Sequence, residues 1–274
     1  LNGGVTVNGN ARRILVQGGS ISQNAVTING GTLDLIRVAA SDGPALDDAE
    51  IAVDGRVRQG FFVGDMEGSV EAEQMGTFVV QGDLEEGLSV TEGDAQNIRI
   101  FGDVGENVAV EDGNLGTFLV RGDLEEGLSV AGGDAQNVRV VGTVSGDVQV
   151  EDGRLDFFSI SGGEMEGDLS AQNMGRIVYN TPSGISQGIS AAENLDTLVA
   201  YGSGGSALAQ DAGVDVGHRL GRAILQGDME GNISVGEEQP VRAEQNEDGE
   251  TEQDQPPDRL DTLYVLGDVI AGTE

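Results

Sequence analysis

The sequence predicts an all-β protein, a single-domain parallel β-solenoid over residues 1–274 with coils of about 20 residues. The first observation is a direct repeat, because residues 76–115 and 116–155 match each other, and each copy divides into two similar halves. The second is composition: 45 glycines, 4% aromatic residues and no tryptophan or cysteine. Stacked columns of small aliphatic side chains need little aromatic bulk, and glycine suits the corners between strands.

Apolar residues recur one coil apart along the repeated segment. One column holds Val80, Ile100, Val120, Val140 and Ile160, and another holds Val90, Val110, Val130 and Val150. Within a coil the apolar spacing does not follow the three-and-four pattern of a helix. It predicts two clear short strands and a weaker third side. Roughly 12 coils at about 4.8 Å each would form a rod about 55–60 Å long.

The other segments extend the pattern to both ends of the chain. Residues 1–31 alternate apolar and polar residues between glycines, and 32–55 form a coil whose turn at 41–50 is expected to bulge from a corner. Residues 56–75, 156–195, 221–235 and 259–272 return to the pattern, and 196–220 read as a degenerate coil. Residues 236–258 carry nine acidic residues and three prolines. They predict an acidic, mobile loop inserted between coils.

Charge narrows the range of partners. The net charge is −34, from 48 acidic residues and 14 basic ones, and every basic residue is arginine. Nucleic acid and anionic membrane surfaces would be repelled, so neither is an expected partner. The sequence has no run of about 18 apolar residues, so no membrane span is expected. Without cysteine there is no disulfide and no thiolate metal site.

A Gly–Asp pair marks one corner of successive coils. Residues one period apart stack in a solenoid, so Asp83, Asp103 and Asp123 should form a column of carboxylates. Two interpretations are open. Each aspartate could cap its turn by accepting backbone N–H groups, or the column could bind Ca²⁺ or another cation weakly between coils. No other cofactor is indicated.

Catalytic signals are sparse, and the sequence predicts that the protein is not an enzyme. His218 is the only histidine, and it is interpreted as a turn residue. Glu164, Glu166 and Asp168 are the one candidate carboxylate cluster, interpreted as a solvated face. A polysaccharide lyase or hydrolase of the β-helix class is the weaker alternative.

The two ends of the sequence look like complementary halves of one coil. Residues 266–272 match the first half of a coil and residues 4–10 the second half. We therefore expect a head-to-tail homopolymer, in which residues 261–272 pair with residues 4–16 of the next copy by strand addition. The expected interface residues are Val5, Val7, Ile14, Val16, Leu263, Val265 and Val269. The alternative is a non-polymerising repeat segment of a large adhesin or surface protein.

The coils at residues 82–90, GDLEEGLSV, and 102–110, GDVGENVAV, resemble a known class of solenoid. They are similar to the parallel β-solenoid repeats of bacterial and archaeal surface proteins, and more loosely to bactofilins, which are polymerising cytoskeletal β-helices. The longer coil and the acidic insertion depart from the bactofilin pattern and favour the surface class. The resemblance implies a structural, extracellular or cell-surface fibre or sheath.

Overall fold

The computed structural model describes residues 4–22, 25–236 and 259–267, and strands are the only regular elements in these ranges. About eleven coils stack as a parallel β-solenoid in one domain, which confirms the predicted fold class. The strands are β1 Val5–Asn8, β2 Ile14–Gln17, β3 Ile21–Ser22, β4 Val26–Asn29, β5 Ile36–Ala39, β6 Leu46–Asp47, β7 Ile51–Val63, β8 Met66–Glu67, β9 Val70–Val80, β10 Leu88–Val90, β11 Ala95–Ile100, β12 Val108–Val110, β13 Leu115–Val120, β14 Gly127–Val130, β15 Ala135–Val144, β16 Asp147–Met165, β17 Leu169–Thr181, β18 Ile189–Leu208, β19 Gly213–Val216, β20 Arg219–Met229, β21 Asn232–Val235 and β22 Arg259–Val265.

Each coil has three sides, which we name by the column at their centre. Side A runs through Val90, Val110 and Val130. Side B runs through Val80, Ile100 and Val120. Side C runs through Leu84, Val104 and Leu124. Sides A and B are parallel ladders of strands, whereas much of side C is held by single bridges, so the prediction of two clear strands and a weaker third side is confirmed.

One continuous core fills the interior between the three sides. Its side B column alternates phenylalanine with β-branched residues in successive coils, and every member is 0% exposed: Phe78, Ile98, Phe118, Val138 and Phe158. Large and small side chains therefore interdigitate along the axis. Full burial of each is worth about 1.5–3 kcal/mol.

Residues 41–50 differ from the sequence interpretation of a bulging turn. Their second half forms β6 on side C, where Leu46 pairs with Ile21 below and Met66 above. Ala45 and Leu46 are completely buried and Ala49 is 5% exposed. The interpretation is wrong there because these small apolar side chains fill the core in spite of the polar residues around them. The predicted acidic loop at 236–258 lies outside the described residues except for Gly236.

Candidate assembly edges and corner carboxylate columns

No described residue covers the end of the core at the first coil. Val5 and Val7 on side A, and Ile14 and Val16 on side B, pack against the core but are only half-buried. Their partners in the next coil are at most 1% exposed; they are Val26, Ile28, Ile36 and Val38. Four of the predicted interface residues therefore lie together at one end of the stack.

The last described coil is open in the same way. Leu260 and Leu263 of β22 are 40% and 38% exposed, although their partners in the preceding coil are completely buried. Val265 packs against the core and is half-buried. Val269 lies outside the described residues. At this end too, the core side chains have no neighbouring coil above them within the described part of the chain.

The two ends present the same sides in the same register. Following the side A pairs from coil to coil, the column of Val5 ends at Ile233 in β21. Following the side B pairs, the column of Ile14 ends at Leu263 in β22. A copy translated along the axis would therefore set β1 on β21 and β2 on β22.

This geometry changes the pairing expected from the sequence. The segment 261–272 was expected to receive all of residues 4–16. Instead β22 lies on side B, so that in a stacked copy it would face β2, and β21 on side A would face β1. The N-terminal segment is a coil in its own right, because β1, β2 and β3 occupy sides A, B and C.

Within residues 4–22, 25–236 and 259–267, the backbone of β1 is paired on one edge only. Val5 and Gly9 donate their N–H groups to Ala25 and Asn29 of the next coil. Because backbone groups alternate in direction along a strand, Thr6 and Asn8 direct theirs towards the open edge. An unpaired edge of this kind is a template for another strand.

The predicted aspartate column exists, and its members cap the next coil. The Oδ1 atoms of Asp83, Asp103 and Asp123 accept backbone N–H groups one coil further on at 2.8, 2.7 and 2.6 Å. A Cβ atom at Gly102 would collide with the Asp83 carboxylate, and one at Gly122 would collide with the Asp103 carboxylate. Glycine therefore precedes aspartate because the previous carboxylate occupies that space.

Sequence reasoning missed two further columns with the same geometry. Asp94 Oδ1 accepts the N–H of Asn114 at 2.9 Å, and Asn114 Oδ1 accepts that of Asp134 at 2.9 Å. At another corner Asp147 accepts the N–H of Asp168 at 2.8 Å. The 20-residue spacing of Asp94, Asn114 and Asp134 was a visible signal. It was overlooked because asparagine replaces aspartate in the middle.

Weak cation binding by the aspartate column remains a prediction. Among residues 4–22, 25–236 and 259–267, no three histidine, cysteine or acidic side chains converge as a metal site. Carboxylates do crowd side C. The pKa of Glu67 is raised, first by desolvation and then by neighbouring carboxylates, of which Glu85 contributes most.

The residues considered for catalysis do not form a cluster around a reacting position. Glu164 and Glu166 are exposed on either side of the buried Met165, and Asp168 Oδ1 accepts the N–H of Gly188 at 2.9 Å. His218 lies between β19 and β20, where its backbone N–H bonds to Glu193 at 2.7 Å.

Residues at the corners and the ends of the solenoid are thus the best-defined candidate functional residues.

Within the ranges that the structure covers, no helix has the length and hydropathy to cross a bilayer. Comparison with known protein families, curated proteins and solved structures finds no match to this chain.

Proposed function

We propose that this chain is a structural subunit of an extracellular or cell-surface filament, and that its partner is another copy of itself. The observation that supports the proposal is the shared register of its two open ends. Among the described residues, both ends carry an unpaired edge on sides A and B, with partly exposed core side chains beside it.

The joint would continue the solenoid across two copies. On side A, β1 of one copy would pair with β21 of the next, so that Val5 meets Ile233. On side B, β2 would pair with β22, so that Ile14 meets Leu263. Backbone hydrogen bonds would fix the register, and burial of the apolar columns would supply most of the affinity.

A joint between opposite ends of one molecule does not close. Every added copy offers the same free end again, so the contact propagates into a filament rather than stopping at a dimer. The charge of −34 on each copy opposes growth through mutual repulsion. Salt shortens the range of that repulsion, to about 10 Å at 0.1 M, so filaments should form more readily as salt increases.

The resemblance of the coils to surface-protein solenoids and bactofilins points to the same role. In this proposal the acidic segment 236–258 attracts cations, and no catalytic role is assigned. A non-polymerising segment of a larger surface protein is the competing function, and it predicts isolated rods.

Negative-stain electron microscopy with a matched pair of variants tests the proposal. Thr6→Pro removes a donor from the open edge of β1 without removing one that bonds within the molecule, whereas Thr6→Ala keeps the donor. We expect filaments for the parent chain and for T6A, and rods that are not extended end to end for T6P. Isolated rods for all three proteins at high salt would reject the polymer.

A further inference from the structure

The outward face of side B carries no acidic residue in its three central columns. We call these columns the arginine face. The first column is Leu15, Arg37, Phe61, Val79, Arg99, Leu119, Arg139, Ser159, Val178, Val199, Ile224 and Tyr264. The second is Gln59, Thr77, Asn97, Thr117, Asn137, Phe157, Arg176, Thr197, Arg222 and Thr262. The third is Gln17, Ala39, Val63, Gln81, Phe101, Arg121, Val141, Ser161, Asn180, Tyr201, Gln226 and Leu266.

Six of the 14 arginines lie on this face although the chain has 48 acidic residues. None of the six forms an ion pair within the described residues, in contrast to Arg154, which bridges Asp156 and Asp196. Arg99 and Arg139 donate instead to the neutral side chains of Asn97 and Asn137. The guanidinium groups of Arg99 and Arg139 are therefore held in place without being neutralised. The six are Arg37, Arg99, Arg121, Arg139, Arg176 and Arg222.

Exposed apolar side chains concentrate on the same face. In the part of the chain that the structure describes, eight large hydrophobic residues are conspicuously exposed, and two of them are the end residues Leu260 and Leu263. The other six belong to the arginine face: Leu15, Phe101, Val141, Tyr201, Tyr264 and Leu266. Arg121 covers the Phe101 ring at 4.6 Å. Columns that combine aromatic and arginine side chains and hold no acidic residue have the composition typical of an interface.

A surface of complementary charge lies on side C of the same molecule. An open groove there is lined by Asp83, Glu85, Asp103, Glu106, Glu125 and Glu126. The side chains of Glu85 and Glu125 are exposed and form no ion pair within the described residues. We call this surface the carboxylate groove.

The two surfaces share one spacing. Arg99 and Arg139 lie two coils apart in one column, with Leu119 between them. Glu85 and Glu125 also lie two coils apart, with Gly105 between them. Two coils span about 9.6 Å in both cases, so both arginines of one rod can meet both glutamates of a parallel rod.

We infer that the arginine face binds the carboxylate groove of a second copy, so that rods associate side by side. The apolar side chains of the face provide buried area, and the arginine–glutamate pairs fix the axial register. Contact between two arginine faces would set arginine against arginine, and contact between two grooves would set carboxylate against carboxylate. Face-to-groove contact is therefore the arrangement that the charges favour.

The test uses a Thr6→Pro background, so that end-to-end growth does not enter the measurement. Since a face-to-groove contact does not close, sedimentation equilibrium near 0.15 M salt should detect dimers and larger oligomers of this parent. Arg99→Gln with Arg139→Gln should raise the dissociation constant of the face-to-groove contact about tenfold or more. The control is Ser89→Glu with Ser129→Glu, which changes the net charge by the same amount at the same two-coil spacing on side A. It should leave the dissociation constant within about threefold of the parent.

Charge exchange identifies the opposing surface. Arg99→Glu with Arg139→Glu, and separately Glu85→Arg with Glu125→Arg, should each stay monomeric alone. Mixed together they should form a heterodimer, because the unaltered face of the second variant fits the unaltered groove of the first, and the altered face of the first fits the altered groove of the second. Circular dichroism melting of each variant shows that the fold is retained.

Several outcomes would overturn the inference. These are a monomeric parent at every concentration, equal loss in the glutamine variant and the serine control, or no heterodimer on mixing. A monomeric parent that binds polygalacturonate through Arg99 and Arg139 would assign the face to an acidic polymer instead. None of these outcomes bears on filament growth, which is measured without the Thr6→Pro change.

Discussion

Asp83 Oδ1 accepts the backbone N–H of Asp103 at 2.8 Å, and the two residues occupy the same corner of consecutive coils. The contact repeats upward, since Asp103 accepts the N–H of Asp123 at 2.7 Å. The column of like charges is thus also a column of hydrogen bonds, in which each carboxylate accepts a backbone N–H group of the coil above. We therefore expect its stability to depend on the acceptor oxygen rather than on the negative charge.

Replacement of Asp103 separates those two properties. Asp103→Ala removes the acceptor for Asp123 N–H and should cost about 1 kcal/mol of unfolding free energy. Asp103→Asn keeps an acceptor oxygen and relieves repulsion from its neighbours, so the cost should be less than half as large. Urea unfolding followed by circular dichroism measures both. Equal losses would mean that charge, not the acceptor, is what matters at this corner.

The phenylalanine column should dominate the stability of the repeated segment. Phe118 is completely buried between Ile98 and Val138, so Phe118→Ala should cost about 3–5 kcal/mol. Leu119→Ala, next in the chain but on the outward face, should cost less than about 1.5 kcal/mol. Thermal and urea unfolding of the two variants gives the comparison. Similar losses of unfolding free energy in the two variants would contradict the burial of Phe118 in the core.

The raised pKa of Glu67 should make stability depend on pH. Its pKa is raised by desolvation and then by the carboxylates of Glu85, Asp47, Asp48 and Asp65. The folded protein then binds the Glu67 proton more tightly than the unfolded chain does. The protonated side chain thus favours folding, and that contribution is lost as pH rises through the raised pKa.

Glu67→Gln should accordingly raise the melting temperature at pH 7, and its advantage should shrink as pH falls below the raised pKa. Glu71→Gln, on the outward column of side A, removes the same charge and serves as the control. If E67Q raised the melting temperature by the same amount at pH 4 and pH 7, the effect would not come from the charge of Glu67, and the prediction would be wrong.

Weak cation binding by the aspartate column has a separate signature. If carboxylates of successive coils share Ca²⁺, then calcium should raise the melting temperature above that in NaCl of equal ionic strength. The added gain should disappear in the triple variant Asp83→Asn, Asp103→Asn, Asp123→Asn. Equal melting temperatures in calcium and in matched NaCl would mean that salt acts on the protein only by screening its charges.

The sequence was a good guide to whatever repeats by translation. Val80 stacks on Ile100 and Asp83 on Asp103 because a fixed period becomes a fixed column in a solenoid. It was a poorer guide to which side a segment occupies. The sequence analysis assigned the whole C-terminal side of the joint to residues 261–272. The place of β21 on side A was missed because it emerges only when coils of unequal length are stacked. The arginine face was missed for the same reason, since its arginines lie at irregular intervals in the chain and align only after folding.

A disulfide trap tests end-to-end stacking most directly. Thr6 and Ser234 stand in the same outward column of side A at opposite ends, and the chain has no cysteine of its own. Across a continuous joint their Cα atoms would lie about 4.8 Å apart, which a disulfide can span. Thr6→Cys with Ser234→Cys should therefore give a ladder of covalent multimers under mild oxidation. Thr6→Cys with Ser170→Cys, whose second cysteine lies inside the stack, should not; equal multimer yields from the two variants would contradict the stacked joint.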